Sequence, residues 1–64
     1  MRYSVFNTET DVELSSYDKI TFCINDIYNY LDNSKLSWNE YFKHNPFYIY
    51  DNRIDKIIWS TKNN

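Results

Sequence analysis

The segment YDKITFCINDIYNYL, residues 17–31, decides the predicted fold because it holds the longest periodic apolar pattern in the chain. Its apolar residues recur every three or four positions, which places them on one helical face about 100° wide. Such a face is typical of a surface helix that packs on a sheet. We predict a helix over residues 17–31, capped by Ser15 or Ser16 and ended by residues 32–34. The apolar stripe comprises Tyr17, Ile20, Ile24, Ile27, Tyr28 and Leu31.

Phe22 lies on the opposite, polar side of this predicted helix. With Ile24 as the centre of the buried face, Phe22 is about 160° away. One interpretation of Phe22 is an ordinary exposed apolar residue, which protein surfaces commonly contain. The other interpretation is an aromatic anchor for a partner protein. The residues expected to surround such an anchor are Asp18, Asn25, Asp26, Asn29 and Tyr30.

Strand patterns occur at both ends of the chain. RYSVFN, residues 2–7, is rich in β-branched and aromatic residues and predicts a strand. FYIYDNRIDKIIWSTK, residues 47–62, predicts a hairpin with its turn at residues 51–53. Isoleucines within residues 54–61 also fit helical spacing, so a terminal helix is the alternative there. TETDVELSS, residues 8–16, is predicted to be a connection.

A second, shorter helix is predicted within KLSWNEYFKHNP, residues 35–46. Ser37 is followed three residues later by Glu40, which is the spacing of a capping box. Pro46 cannot continue a helix, and it disfavours helical geometry in the residue before it. The predicted helix therefore covers about two turns, residues 38–43, with its aromatic side chains turned toward the core.

Together these elements predict a single compact α+β domain over residues 1–64. The N-terminal strand and the C-terminal hairpin form a small antiparallel sheet, which packs against one main helix and one short helix. A chain of 64 residues has a small core, and one cysteine excludes an internal disulfide. We expect the aromatic content of 20% to compensate. Pairing with a second copy is the alternative source of stability, so a homodimer stays open.

The residue content argues against catalysis. The chain has no glycine, and both phosphate-binding loops and dinucleotide fingerprints need glycine where the backbone approaches phosphate. His44 is the only imidazole, and its position at a helix end is typical of a residue that meets the last carbonyls. Cys23 borders the apolar stripe, where a small buried side chain is the ordinary interpretation. We therefore expect no enzyme, no cofactor and no metal site.

Charge and hydropathy limit the partners. Residues 1–34 carry two basic residues against six acids, whereas residues 35–64 carry five against three. A net charge of −2 and a pI near 5.1 disfavour nucleic acid, although sheet aromatics and basic residues leave a nucleic-acid-binding module as an alternative. No apolar run approaches the roughly 20 residues of a membrane span, so we expect a cytoplasmic protein with no membrane partner. The aromatic platform of that alternative is Tyr48, Tyr50 and Trp59, with Arg53, Lys56 and Lys62 as its cations.

The remaining function class is binding to another protein, whose surface is expected to be basic because the helical half of the chain is acidic. About half of the residues have A/T-rich codons, which indicates a low-GC genome. We therefore expect a small inhibitor of a host enzyme or defence complex, encoded by a phage or mobile element and acting in the host cytoplasm. The second-choice binding surface is Tyr48, Tyr50 and Arg53 on the predicted hairpin. A homo-oligomeric structural or accessory subunit is the other alternative.

Overall fold

A computed structural model describes residues 1–61 of the chain. Its four strands form one sheet in the order β2-β1-β3-β4, and every neighbouring pair is antiparallel. One long and one short helix complete the structure, so the predicted α+β class is confirmed. In chain order the elements are β1 (Tyr3–Asn7), β2 (Glu13–Tyr17), α1 (Ile20–Ser34), α2 (Trp38–His44), β3 (Phe47–Asp51) and β4 (Lys56–Ser60).

The core lies between the sheet and α1, which packs on β1, β2 and β3. Val5 of β1 stands opposite Ile49 of β3, and neither side chain is exposed. Cys23 and Ile27 cover this pair from α1 and are also fully buried. Helix α2 adds Phe42 on the same side of the sheet. Apolar side chains from two layers therefore share one core, as the packing of a helix on a sheet requires.

Residues 13–17 form a strand where the sequence predicts a connection and the start of the helix. Tyr17 ends β2 and pairs with Tyr3, whereas α1 begins only at Ile20. Ser15 and Ser16 lie within β2, and the N-cap residue of α1 is Lys19, so the predicted caps are wrong. The segment ELSSY has little intrinsic strand preference, and its pairing with β1 outweighs that local preference.

The buried face of α1 is centred elsewhere than predicted. The two helix residues with no exposure are Cys23 and Ile27, whereas Ile24 is only partly buried and Tyr28 is 42% exposed. The predicted stop at residues 32–34 is also wrong, because the helix continues to Ser34 and the left-handed residue is Lys35, with φ 59°. The centre of the face thus shifts toward Cys23, a residue that the apolar stripe did not include.

The start of α2 agrees with its predicted cap. Ser37 Oγ accepts a hydrogen bond from the Glu40 N–H at 3.4 Å and donates one to Glu40 Oε1 at 3.2 Å. The helix runs one residue beyond the predicted end, to His44. Trp38 and Tyr41 pack against the core beside Phe42, as the aromatic spacing predicts.

The C-terminal segment is a strand, which decides between the two alternatives. Strand β4 pairs with β3, and the turn between them covers residues 52–55 instead of 51–53. Beyond β4, Thr61 donates its backbone N–H to the Phe47 carbonyl at 3.0 Å, and its Oγ1 accepts from the Phe47 N–H at 2.9 Å. These bonds extend the pairing that holds the hairpin closed.

Two substitutions in α1 test the position of the core. Ile27→Ala should lower the free energy of unfolding by about 2–5 kcal/mol, since it opens a cavity beneath α1. Ile24→Ala should cost clearly less because Ile24 is only partly buried. Urea titrations followed by circular dichroism measure both changes. An equal loss in the two variants would contradict this position of the core.

The cap of α2 makes a second prediction. Ser37→Ala removes the acceptor for the Glu40 N–H and should lower the free energy of unfolding by about 1 kcal/mol. Ser37→Asp keeps an acceptor at this position and serves as the control. The same urea titrations apply, and an alanine variant as stable as the parent would argue against the cap.

Candidate protein-binding surfaces

Three side chains of α1 form a row along one flank of the helix. Phe22, Asp26 and Tyr30 are four residues apart, so successive turns place them one above another. We call this row the helix strip. Phe22 is 51% exposed, and its ring meets the ring of Tyr17 edge-on at 5.9 Å. The sequence pattern grouped these three residues, and the helix brings them together.

Phe22 lies closer to the buried face of α1 than the sequence predicts. Helix geometry places it about 100° from Cys23 and about 140° from Ile27, the two fully buried residues. It therefore lies on a flank of α1 next to β2, whereas the side farthest from the core carries Asn25 and Asn29. Phe22 is a boundary residue that has a neighbour in β2 and still exposes half of its surface.

Tyr17 connects the helix strip to the sheet. Its hydroxyl donates to Asp26 Oδ2 at 2.7 Å, and this bond raises the pKa of Tyr17 because it favours the protonated phenol. The bond holds the Asp26 carboxylate beside two aromatic rings. Sequence reasoning missed this role because it placed Tyr17 in the helix.

The other predicted residues of this surface lie around the strip. Asn25 and Asn29 are exposed beside it. Asp18 precedes the helix and accepts a hydrogen bond from the Arg2 backbone N–H at 3.4 Å. Tyr30 is partly exposed, and it also stacks on Phe47 at 5.7 Å, so one of its faces belongs to the core cluster.

A second aromatic surface covers the side of the sheet away from the helices. The Phe6 ring stacks on Tyr48 at 5.1 Å and meets Tyr50 edge-on at 6.4 Å. Both helices pack on the other side of the sheet, and within residues 1–61 no helix covers these rings. We call this side of the sheet the open face. It includes Tyr48 and Tyr50 of the second-choice surface and adds Phe6, whose partner in β3 only the strand register reveals.

Carboxylates border the open face. Tyr48 donates its hydroxyl to Asp11 Oδ1 at 3.2 Å, and Tyr50 donates to an oxygen of Asp55. Burial and the Asp11 bond raise the pKa of Tyr48, whereas the Asp55 bond is the main cause of the raised pKa of Tyr50. Glu13 stands opposite Phe6 in the register. These acids would repel the phosphates of a nucleic acid stacked on the rings.

The predicted three-ring platform does not assemble. Trp59 pairs with Ile49 and packs against the core, so it faces the helices while Tyr48 and Tyr50 face the other way. Arg53 is exposed in the β3–β4 turn and Lys56 at the start of β4. Lys62, the third predicted cation, lies outside the described residues.

An ion pair between Arg2 and Asp51 ties the N-terminus to the β3–β4 hairpin. Arg2 donates to both oxygens of Asp51, with the shortest N–O distance at 3.0 Å, and the Asp51 side chain is only 3% exposed. The Arg53 N–H adds a bond to Asp51 Oδ1 at 2.9 Å. Asn52 also donates through its side chain to Ser4 Oγ at 2.9 Å. This network is structural, and the sequence carried no signal that pairs residues 49 positions apart.

The groups considered for catalysis are dispersed. Cys23 is fully buried, and burial raises the pKa of its thiol, which disfavours the nucleophilic thiolate. His44 is exposed at the end of α2.

A pocket of about 270 Å³ lies between Trp38, Pro46 and Thr61, with Glu9 and Lys43 as its charged lining. Within the described residues, no three His, Cys, Asp or Glu side chains cluster as metal ligands do.

Neither helix in residues 1–61 combines the length and apolar content needed to cross a membrane. Comparisons with protein-family models, curated proteins and solved structures gave no match.

The Arg2–Asp51 pair predicts an acid-dependent contribution to stability. The hydrogen bond from Arg2 lowers the pKa of Asp51 below its ordinary value of 3.8. A carboxylate with a lowered pKa in the folded state stabilises the protein above its unfolded-state pKa, and this contribution is lost as the pH falls through the folded-state value. Asp51→Asn should therefore flatten the dependence of unfolding free energy on pH below about pH 4.

Urea titrations between about pH 2 and pH 7 test this prediction. Asp32→Asn is the matched control because it removes one carboxylate from the exposed side of α1. It should keep the parent profile, and an unchanged profile for Asp51→Asn would contradict the role of the ion pair.

Proposed function

We propose that this protein is a non-enzymatic module that binds another protein through the helix strip. The observation that carries the proposal is the half-exposed ring of Phe22, held against Tyr17 and followed along the same flank by Asp26 and Tyr30. An aromatic side chain that is already ordered loses little entropy when a partner covers it. Such residues provide much of the binding energy in protein interfaces.

The strip favours a partner with a basic surface. Asp26 is held beside the two rings by the Tyr17 hydroxyl, and Asp18 lies before the same helix. A carboxylate next to an exposed aromatic ring suits an arginine, which can pair with the carboxylate and lie over the ring. Asn25 and Asn29 supply amide groups at the border, where polar residues commonly surround an anchor.

The size of the protein is compatible with this function. A standard interface covers about 800 Å² of each partner, and this chain exposes 4546 Å² in total. About one sixth of the surface would therefore suffice for a specific contact. We place the protein among small inhibitors of a host enzyme or defence complex, encoded by a phage or mobile element. About half of the residues are of types that A/T-rich codons encode, which supports an origin in a phage or mobile element of a low-GC host.

Photo-crosslinking at position 22 tests the proposal and identifies the partner. Phe22 is replaced by a benzophenone amino acid, and the irradiated lysate of a low-GC bacterium is analysed by mass spectrometry. The matched control carries the same amino acid at Tyr28, which is 42% exposed and packs on Trp38 from the other flank of α1. We expect a protein that crosslinks only from position 22. The same crosslinks from both positions, or none, would contradict a role for the strip.

A binding titration with the purified partner gives the energetic test. Phe22→Ala should weaken binding by about 2 kcal/mol or more, roughly thirtyfold. Because Phe22 retains one ring contact, its loss should cost only about 1 kcal/mol of folding stability. Tyr28→Ala removes a comparable exposed ring and should leave the affinity unchanged. Equal losses of affinity in both variants would reject Phe22 as the anchor.

A further inference from the structure

The pocket beside α2 combines aromatic and charged lining. Its apolar lining residues are Trp38, Phe42 and Pro46, of which Phe42 and Pro46 are buried. The Trp38 and Phe42 rings meet edge-on at 4.6 Å, so two aromatic surfaces border one cavity. A largely apolar wall with a few polar groups is typical of sites that bind small molecules.

Helix α2 arranges its part of the lining in two rows. Trp38 and Phe42 are four residues apart, and so are Asn39 and Lys43, which also line the pocket. Residues at this spacing lie one above the other on a helix, so an aromatic row runs beside a polar row. The polar row supplies an ammonium group and an amide, which are both hydrogen-bond donors.

The pocket also receives a charge of the opposite sign. Glu9 of the β1–β2 turn lines it together with Lys43, and both side chains are exposed. Within residues 1–61 the ion pair is Arg2–Asp51, and neither Glu9 nor Lys43 takes part in one. The cavity is therefore bordered by one unpaired carboxylate and one unpaired ammonium group.

The volume limits the ligand to a small molecule. About 270 Å³ corresponds to the liquid volume of about nine waters. Drug-sized ligands occupy pockets of about 300–1,000 Å³, so a ligand of about a dozen non-hydrogen atoms suits this cavity.

We propose that this pocket binds a free α-amino acid with an apolar side chain. The α-carboxylate of the ligand lies at Lys43 and Asn39, its α-ammonium group at Glu9, and its side chain against the aromatic row. A ligand with a single charge is attracted by one of Glu9 and Lys43 and repelled by the other, whereas a zwitterion is matched by both. This site is separate from the helix strip, because no residue of the strip lines the pocket.

The exposure of the two charged side chains sets the expected strength. Water and salt screen exposed charges, so each charge should contribute only a few-fold to the affinity. For L-phenylalanine, which has about a dozen non-hydrogen atoms, we expect a Kd on the order of 1 mM.

An NMR titration of the isotope-labelled full chain with L-phenylalanine tests this site. The indole N–H signal of Trp38 is the reporter, and Trp59→Phe assigns it because the chain has two tryptophans. This signal should shift and reach saturation. Phenethylamine lacks the carboxylate and hydrocinnamate lacks the ammonium group, so each should bind about threefold more weakly or worse.

Two substitutions at the pocket should show opposite preferences for these analogues. Glu9→Gln should weaken L-phenylalanine and phenethylamine about three- to fivefold without weakening hydrocinnamate. Lys43→Gln should weaken L-phenylalanine and hydrocinnamate by a similar factor without weakening phenethylamine. Both side chains are exposed, so the variants should fold, which circular dichroism checks.

Matched controls remove the same charges elsewhere. Glu13→Gln in β2 and Lys56→Gln in β4 should leave all three affinities unchanged, since neither residue lines the pocket. Phe22→Ala should also leave them unchanged, so failure of this site is distinguishable from failure of the helix strip. The absence of a saturable shift at about 20 mM L-phenylalanine, analogues that bind as tightly as the amino acid, or equal losses for both analogues in either variant would overturn the proposal.

Discussion

The contact between Val5 and Ile49, with Ile27 and Cys23 above it, is the interaction on which the other elements depend. These four side chains have no exposed surface, and they come from the two central strands and the long helix. Val5 meets Ile49 because β1 and β3 are paired. β2 pairs with the other edge of β1, where backbone groups would otherwise stay unpaired, and this pairing forms a strand that has little strand preference of its own.

A core of this size leaves much of the stability to aromatic contacts and polar ties at the edges. Phe42 and Phe47 meet edge-on at 5.9 Å and extend the core toward α2. At the opposite end of the strands, Asp51 holds Arg2 and the turn after β3. The chain has no glycine, and within residues 1–61 two aspartates and a lysine adopt left-handed backbone geometry: Asp11, Lys35 and Asp55. Aspartate tolerates this geometry better than most residues, which suits the two turns that also receive tyrosine hydroxyls.

The same placement of layers creates the two candidate surfaces. Because both helices lie on one side of the sheet, the rings of β1 and β3 that point away from them form the open face. Because β2 runs beside α1, Tyr17 meets the flank of the helix and supports Phe22. The helix strip lies on a flank of α1 and the open face lies on the side of the sheet away from both helices, so the two surfaces do not overlap.

Local signals were enough to predict the helix α1, the Ser37 cap, the end of α2 before Pro46 and the strand at residues 47–50. It also grouped Phe22 with Asp26 and Tyr30, because helix geometry alone relates residues four apart. Three features depend on contacts between distant parts of the chain: residues 13–17 are a strand, Cys23 replaces Ile24 at the centre of the buried face, and Phe6 joins Tyr48 while Trp59 faces the helices. The physical reason is that register and burial depend on pairing between residues far apart in the chain, where local preference is weak and the free energy of packing determines the outcome.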